Sequence, residues 1–83
     1  MRKPIIGGNW KMYKTISEGV NIAKDLVNSL QNLTECDVFI CPPFTMLEKV
    51  GEIIKNSTIK LAAQNMHWED EGAFTGDISG KML

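Results

Sequence analysis

Two polar side chains, Asn9 and Lys11, follow the first apolar run of the sequence, Pro4-Ile5-Ile6, after a Gly7-Gly8 pair. In an α/β protein such a run predicts a parallel strand, and functional groups gather at the carboxyl ends of parallel strands. There the Lys11 ammonium can face an anionic substrate, and the Asn9 amide can donate to a carbonyl or an oxyanion. The spacing therefore indicates one wall of an anion-binding site. The ordinary alternatives are a solvated surface lysine and an asparagine that only forms hydrogen bonds at the strand end.

The same segment also approaches the P-loop pattern G-x-x-x-x-G-K-[ST], because Gly8 is followed at the right distance by Lys14-Thr15. Tyr13 stands where the pattern needs its second glycine, and a tyrosine obstructs the inward turn of the backbone amides around phosphates. A P-loop nucleotide binder is therefore the less favoured alternative, and it predicts ATP or GTP affinity that depends on Lys14.

Few other residues could do chemistry. We expect His67, the single histidine, to be a surface residue rather than a base, and Glu69-Asp70-Glu71 to form a solvated turn. Three consecutive carboxylates cannot all face one ion, so we assign no metal site. Cys36 and Cys41 match neither a zinc nor a redox pattern and are expected to be reduced. Trp10 is expected to serve packing.

The length and composition are typical of a soluble protein of at most one domain. The sequence has 83 residues, a net charge of −1 and 43% hydrophobic residues. The charge gives no basic face for nucleic acid, and no apolar run approaches the length of a membrane span or a signal-peptide core. We expect a cytoplasmic protein without nucleic-acid or membrane partners.

Strand and helix patterns alternate along the chain. Thr15 and Glu18 predict a capping box at the start of an amphipathic helix over about 16 to 32. Further predicted elements are a strand over 37–41 that Pro42-Pro43 ends, a helix from a second capping box, Thr45 to Glu48, to residues 56–57, and a strand over 59–63. Ser79 is expected to cap the start of another helix.

This alternation predicts parallel strands with right-handed crossovers, so that both helices cover one face of the sheet. The other face must close on itself as a barrel or be covered by further segments. The long loop that follows, residues 64–79, carries three large apolar side chains, Met66, Trp68 and Phe74. Such side chains need a pocket to fill, and we expect that pocket to belong to another subunit. An alternative is a non-catalytic interaction module that binds a different partner through loop 65–79.

Four motifs in register resemble the amino-terminal third of the triosephosphate isomerase family. They are Gly7-Gly8-Asn9-Trp10-Lys11-Met12, Cys41-Pro42-Pro43, Ala63-Gln64-Asn65 and the segment from Gly72 to Ser79. The resemblance implies an α/β fold, the TIM (β/α)8 barrel, of which residues 1–83 form the amino-terminal part of one domain: three strands, two helices and the third loop. It also implies a cofactor-free isomerase that interconverts dihydroxyacetone phosphate and glyceraldehyde 3-phosphate through an enediolate.

The resemblance assigns roles residue by residue. Asn9 and Lys11 are the implied catalytic and substrate-binding residues, and loop 65–79 the implied contact of a homodimer, with Thr75 near Asn9 of the partner subunit. The implied interface residues are Met12, Gln64, Asn65, Phe74, Thr75, Gly76 and Asp77, the last often Glu in the family; Gln64 is also expected to support the site. The family's catalytic glutamate and histidine have no counterpart here, so we expect the 83 residues alone to be inactive.

Overall fold

A computed structural model describes residues 2–83, which fold as three parallel strands and two helices. The elements are β1 (Ile5–Asn9), α1 (Ile16–Leu30), β2 (Asp37–Cys41), a 3-10 turn (Phe44–Met46), α2 (Leu47–Ile54) and β3 (Lys60–Leu61). The strand order is β1-β2-β3, and both pairings are parallel. The predicted β-α-β-α-β topology is confirmed.

Both helices pack on one face of this sheet, as predicted. Ile40 of β2 is 3% exposed and shares a core with Ala23 of α1 and Val50 of α2. The remaining core members are Met46, Ile54 and Ile59, with Trp10 packed against them. On the opposite face the side chains of β1 have no helix to cover them, and Ile5 is 68% exposed. The sheet therefore presents one open face within residues 2–83.

Hydrogen bonds at the helix ends confirm one predicted capping box and exclude the other. The Thr15 N–H donates to the Glu18 carboxylate at 3.0 Å, and the Glu18 N–H donates back to the Thr15 hydroxyl. The prediction at Thr45 is wrong, because Pro43 begins a 3-10 turn that absorbs Thr45, and Met46 caps α2 without a side-chain bond. The helices end at residues 30 and 54, slightly earlier than predicted.

The third strand is shorter than predicted. Only Lys60 and Leu61 pair with β2, and the Ala62 N–H adds one bond to the Ile40 carbonyl at 2.9 Å. Beyond Cys41, Pro42-Pro43 offer no N–H to extend the ladder, so the pairing stops there.

Two further observations complete the fold. The Ser79 hydroxyl accepts from the Met82 N–H at 3.2 Å, so Ser79 caps a turn over 80–82, whereas the predicted helix is not formed there. No helix among residues 2–83 is both long enough and apolar enough to cross a membrane.

Gly7 and Gly8 give a matched test of the packing on the two faces of β1. A β-carbon at Gly7 would overlap the Phe39 ring, its cross-strand neighbour, whereas at Gly8 the nearest atom lies 3.8 Å away. We expect Gly7→Ala to lower the free energy of unfolding by about 0.5–1.5 kcal/mol, the cost of pushing the Phe39 ring off its preferred rotamer. Gly8→Ala should change it far less. Urea unfolding followed by circular dichroism measures both, and equal losses would contradict the packing described.

The stabilisation that Glu18 provides at the start of α1 depends on pH. The Thr15 backbone N–H and hydroxyl donate to the carboxylate and lower the pKa of Glu18. A lowered pKa means that the stabilisation is present above the unfolded-state value, about 4.3, and is lost as the pH falls through the folded-state value. Glu18→Gln should therefore cost stability at pH 7 and little at strongly acid pH. Glu52→Gln controls for the change of charge, and a Glu18→Gln effect independent of pH would count against the capping box.

Candidate functional site

Asn9 ends β1 with its amide orientation fixed. The side-chain Oδ1 accepts a hydrogen bond from the Lys11 N–H at 2.9 Å. Because a backbone N–H can only donate, the amide oxygen is the bonded end and the NH2 group is left to donate elsewhere. Asn9 is exposed at the strand end. This is the orientation that a carbonyl or oxyanion ligand needs.

Lys11 has a backbone conformation that non-glycine residues rarely adopt. Its φ is 56°, in the left-handed region. Such a conformation costs about 1–3 kcal/mol and persists only where the surroundings enforce it. Here both backbone polar groups of Lys11 are held, the N–H by Asn9 and the carbonyl by the side-chain amide of Gln64 at 2.9 Å. The backbone that carries the ammonium group is therefore fixed.

Gln64 joins the carboxyl ends of all three strands. The same Nε2 that donates to Lys11 also donates to the Cys41 carbonyl, at the end of β2, at 2.8 Å. These acceptors lie 53 and 23 residues away in the chain. The Cys41 carbonyl also accepts from the Trp10 N–H at 3.1 Å. One side chain therefore links the segments that follow all three strands.

The Lys11 ammonium is not neutralised within the described residues. Within residues 2–83, Lys3 pairs with Asp37 and the His67 imidazole contacts Asp77, and neither contact involves Lys11. Lys11 is exposed, so its charge can act on a ligand at the strand ends. Met12, beside it, is 95% exposed. The strand ends therefore offer a cation and an amide donor to an anion.

The arm, residues 65–79, forms a second group of predicted site residues. The Asp77 N–H donates to the Phe74 carbonyl at 3.0 Å, and Gly76 has a φ of 89°, as the third residue of a type II turn requires. Thr75 stands exposed at this turn. No hydrogen bond links the turn to Asn9 or Lys11 within residues 2–83. The structure thus forms two separate groups, the strand ends and the arm.

The expectation that His67 is a surface residue is wrong. Its side chain is 14% exposed, its ring stacks on Trp68 at 4.7 Å and packs on Phe74 at 4.1 Å, and Nδ1 lies 3.6 Å from Asp77 Oδ2. The two aromatic residues in the same loop were the signal that sequence reasoning passed over. The acidic residues 69–71 are exposed, as a solvated turn should be.

One cavity of the structure lies apart from the strand ends. It measures about 560 Å³ and lies between the arm and the turn near Lys81, with His67, Phe74, Asp77 and the acidic turn in its wall. Neither Asn9, Lys11 nor Gln64 lines it. Within residues 2–83 no three His, Cys, Asp or Glu side chains are grouped to hold a metal ion. Cys36 and Cys41 are free thiols, as expected.

Comparison with known proteins agrees with the motifs. The sequence model of the family described as triosephosphate isomerase matches residues 4–83. Among similar proteins are triosephosphate isomerases of Carboxydothermus hydrogenoformans, 53% identical over all of this chain and 33% of that protein, and of Clostridium tetani, 48% identical over all of this chain and 32% of that protein. The chain therefore spans about a third of the length of these relatives.

A solved structure agrees with the fold. The crystal structure of triosephosphate isomerase from Bartonella henselae superposes with a TM-score of 0.89 at 35% identity, covering 99% of this chain and 33% of that one. The sheet and its helices thus correspond to the amino-terminal portion of a TIM barrel, and the predicted fold class is confirmed.

Gln64 can be tested separately from any activity. Gln64→Ala removes two hydrogen bonds and releases the left-handed Lys11, and at about 0.5–1.5 kcal/mol per bond we expect a loss of about 1–3 kcal/mol in the free energy of unfolding. Gln31→Ala, an exposed glutamine at the end of α1, is the matched control and should cost little. Urea unfolding measures both losses in the free energy of unfolding. Similar losses for the two variants would show that Gln64 does not stabilise the strand ends.

Proposed function

This chain belongs to the triosephosphate isomerase family, and from that premise we propose that residues 1–83 supply the amino-terminal part of a single barrel domain with that activity. The substrate of this proposal is a phosphorylated triose, dihydroxyacetone phosphate or glyceraldehyde 3-phosphate. The reaction moves a proton between adjacent carbons through an enediolate and uses no cofactor.

The observation that carries the proposal is the fixed backbone of Lys11 at the strand ends. Gln64 and Asn9 hold it there, and no carboxylate within residues 2–83 pairs with its ammonium group. A cation about 4 Å from an anionic oxygen at an effective dielectric near 20 contributes about 4 kcal/mol per unit charge. We assign to Lys11 the neutralisation of the substrate phosphate and of the developing enediolate.

Asn9 completes this wall of the site. Its Oδ1 is occupied by the Lys11 N–H, so its NH2 group is the end that would hold the reacting oxygens. Positioned donors of this kind act most strongly where charge develops in the transition state. Asn9 and Lys11 thus bind and stabilise, and neither transfers the proton.

Proton transfer needs a base and an acid from outside these residues. His67 is packed between Trp68 and Phe74 and faces Asp77, so it serves the arm rather than the strand ends. No carboxylate follows β1, β2 or β3 directly. We therefore propose that the 83 residues alone do not turn over substrate and that the rest of a barrel provides these groups.

We assign the arm to a homodimer contact. Trp68 is 83% exposed and Phe74 43%, more apolar surface than a solvated loop needs. The proposed interface contains Met12, Gln64, Asn65, Phe74, Thr75, Gly76 and Asp77, with Thr75 directed at the neighbouring site. The same exposed Trp68 supports the alternative of a non-catalytic interaction module. The relatives named above give the P-loop alternative no support.

A graft tests the proposed role of Lys11. In the graft, residues 1–83 of this chain replace the matching first third of the Carboxydothermus hydrogenoformans enzyme. We expect Lys11→Met in the graft to lower kcat/KM about a thousandfold, because about 4 kcal/mol of charge stabilisation is lost. A coupled assay with glyceraldehyde 3-phosphate measures the loss.

Lys14→Met is the matched control, since Lys14 is also exposed and also has a left-handed backbone, with φ 78°. It should retain activity within a few fold. Full activity in the Lys11→Met graft would refute the assignment of Lys11. A folded, monomeric and inactive protein that instead binds a distinct protein through Phe74 or Trp68 would favour the interaction-module alternative.

A further inference from the structure

The imidazole of His67 contacts both residues that flank the turn tip of the arm. Its ring packs on Phe74 with centroids 4.1 Å apart, and its Nδ1 lies 3.6 Å from Asp77 Oδ2, within the range of an ion pair. Phe74 and Asp77 are the first and last residues of the turn that presents Thr75. One side chain thus holds both ends of the turn.

The backbone of His67 also joins the two segments of the arm that lead to and from the turn. Its N–H donates to the Ile78 carbonyl at 2.8 Å, and His67 and Ser79 form an isolated parallel bridge. Apart from this region the arm has little regular structure, and its tip residues are exposed. His67 lies in the segment that leads to the turn, and it contacts both the turn and the segment that leads away from it.

Packing alone does not account for a histidine at this position. The His67 Nε2 is buried and has no hydrogen-bond partner within residues 2–83. Burying a polar atom without a partner costs about 1–3 kcal/mol, which a phenylalanine of similar shape would avoid. The contact that histidine provides and phenylalanine cannot is the one between Nδ1 and Asp77.

We infer that His67 is a positioning residue, which holds the Phe74–Asp77 turn so that Thr75 is presented in a fixed geometry to a neighbouring subunit. The inference rests on the proposed function, because it needs the arm to dock in a dimer. Its physical basis is preorganisation: a loop that is already ordered loses less conformational entropy when it docks. His67 touches no substrate and acts only through the turn.

Three substitutions in the graft separate this role from packing. His67→Phe keeps the ring and loses the polar contact to Asp77, whereas His67→Asn loses the ring and keeps an N–H donor near the position of Nδ1. We expect His67→Phe to raise the dimer dissociation constant about tenfold and His67→Asn to restore most of the affinity. A packing role predicts the opposite order. In an Asp77→Ala background the advantage of His67→Asn over His67→Phe should disappear.

Dimer dissociation is measured by sedimentation and by the dependence of activity on protein concentration, with the unfolding midpoint of each variant recorded alongside. Equal affinities, or tighter association of His67→Phe than of His67→Asn, would overturn the inference even in an active, dimeric graft. If the graft without these substitutions is monomeric or inactive, the proposed function itself fails. The two failures are therefore distinguishable.

Discussion

One side-chain amide holds the carboxyl ends of the three strands together. Gln64 follows β3 and donates to the carbonyls of Lys11, after β1, and Cys41, at the end of β2. Without the bond from Gln64, the Lys11 carbonyl would have no partner to keep Lys11 in its left-handed conformation. The Lys11 N–H, which orients the Asn9 amide, would then no longer be fixed. The candidate site is thus a consequence of strand register and of one glutamine.

Two element boundaries follow from local chemistry in the sequence. The Thr15–Glu18 capping box starts α1, and Pro42-Pro43 end β2, so both boundaries were predictable from neighbouring residues. The Thr45 box failed because Pro43 begins a tighter turn that competes for the same residues. The short β3 has a related cause. Pro42 and Pro43, which follow β2, have no N–H groups with which further residues of β3 could pair.

The site was predictable in its residue types but not in its contacts. Asn9 and Lys11 are marked by their place after an apolar run, whereas the Lys11–Gln64 bond spans 53 residues and leaves no trace in the local pattern. His67 was mistaken for a surface residue because its burial depends on Trp68 and Phe74 folding back in one loop. The open face of the sheet, with Ile5 exposed, agrees with a portion of a barrel that further strands cover.

We propose that Lys11 is held at the strand ends so that its ammonium group meets an anionic substrate. A crystal structure of the graft with an unreactive phosphate monoester that carries a carboxylate tests it most directly. We expect Lys11 to keep a φ near 56° and its Nζ to lie about 2.7–3.2 Å from a ligand oxygen, with the Asn9 NH2 group facing the ligand. A bound ligand with the Lys11 ammonium directed into solvent would contradict it.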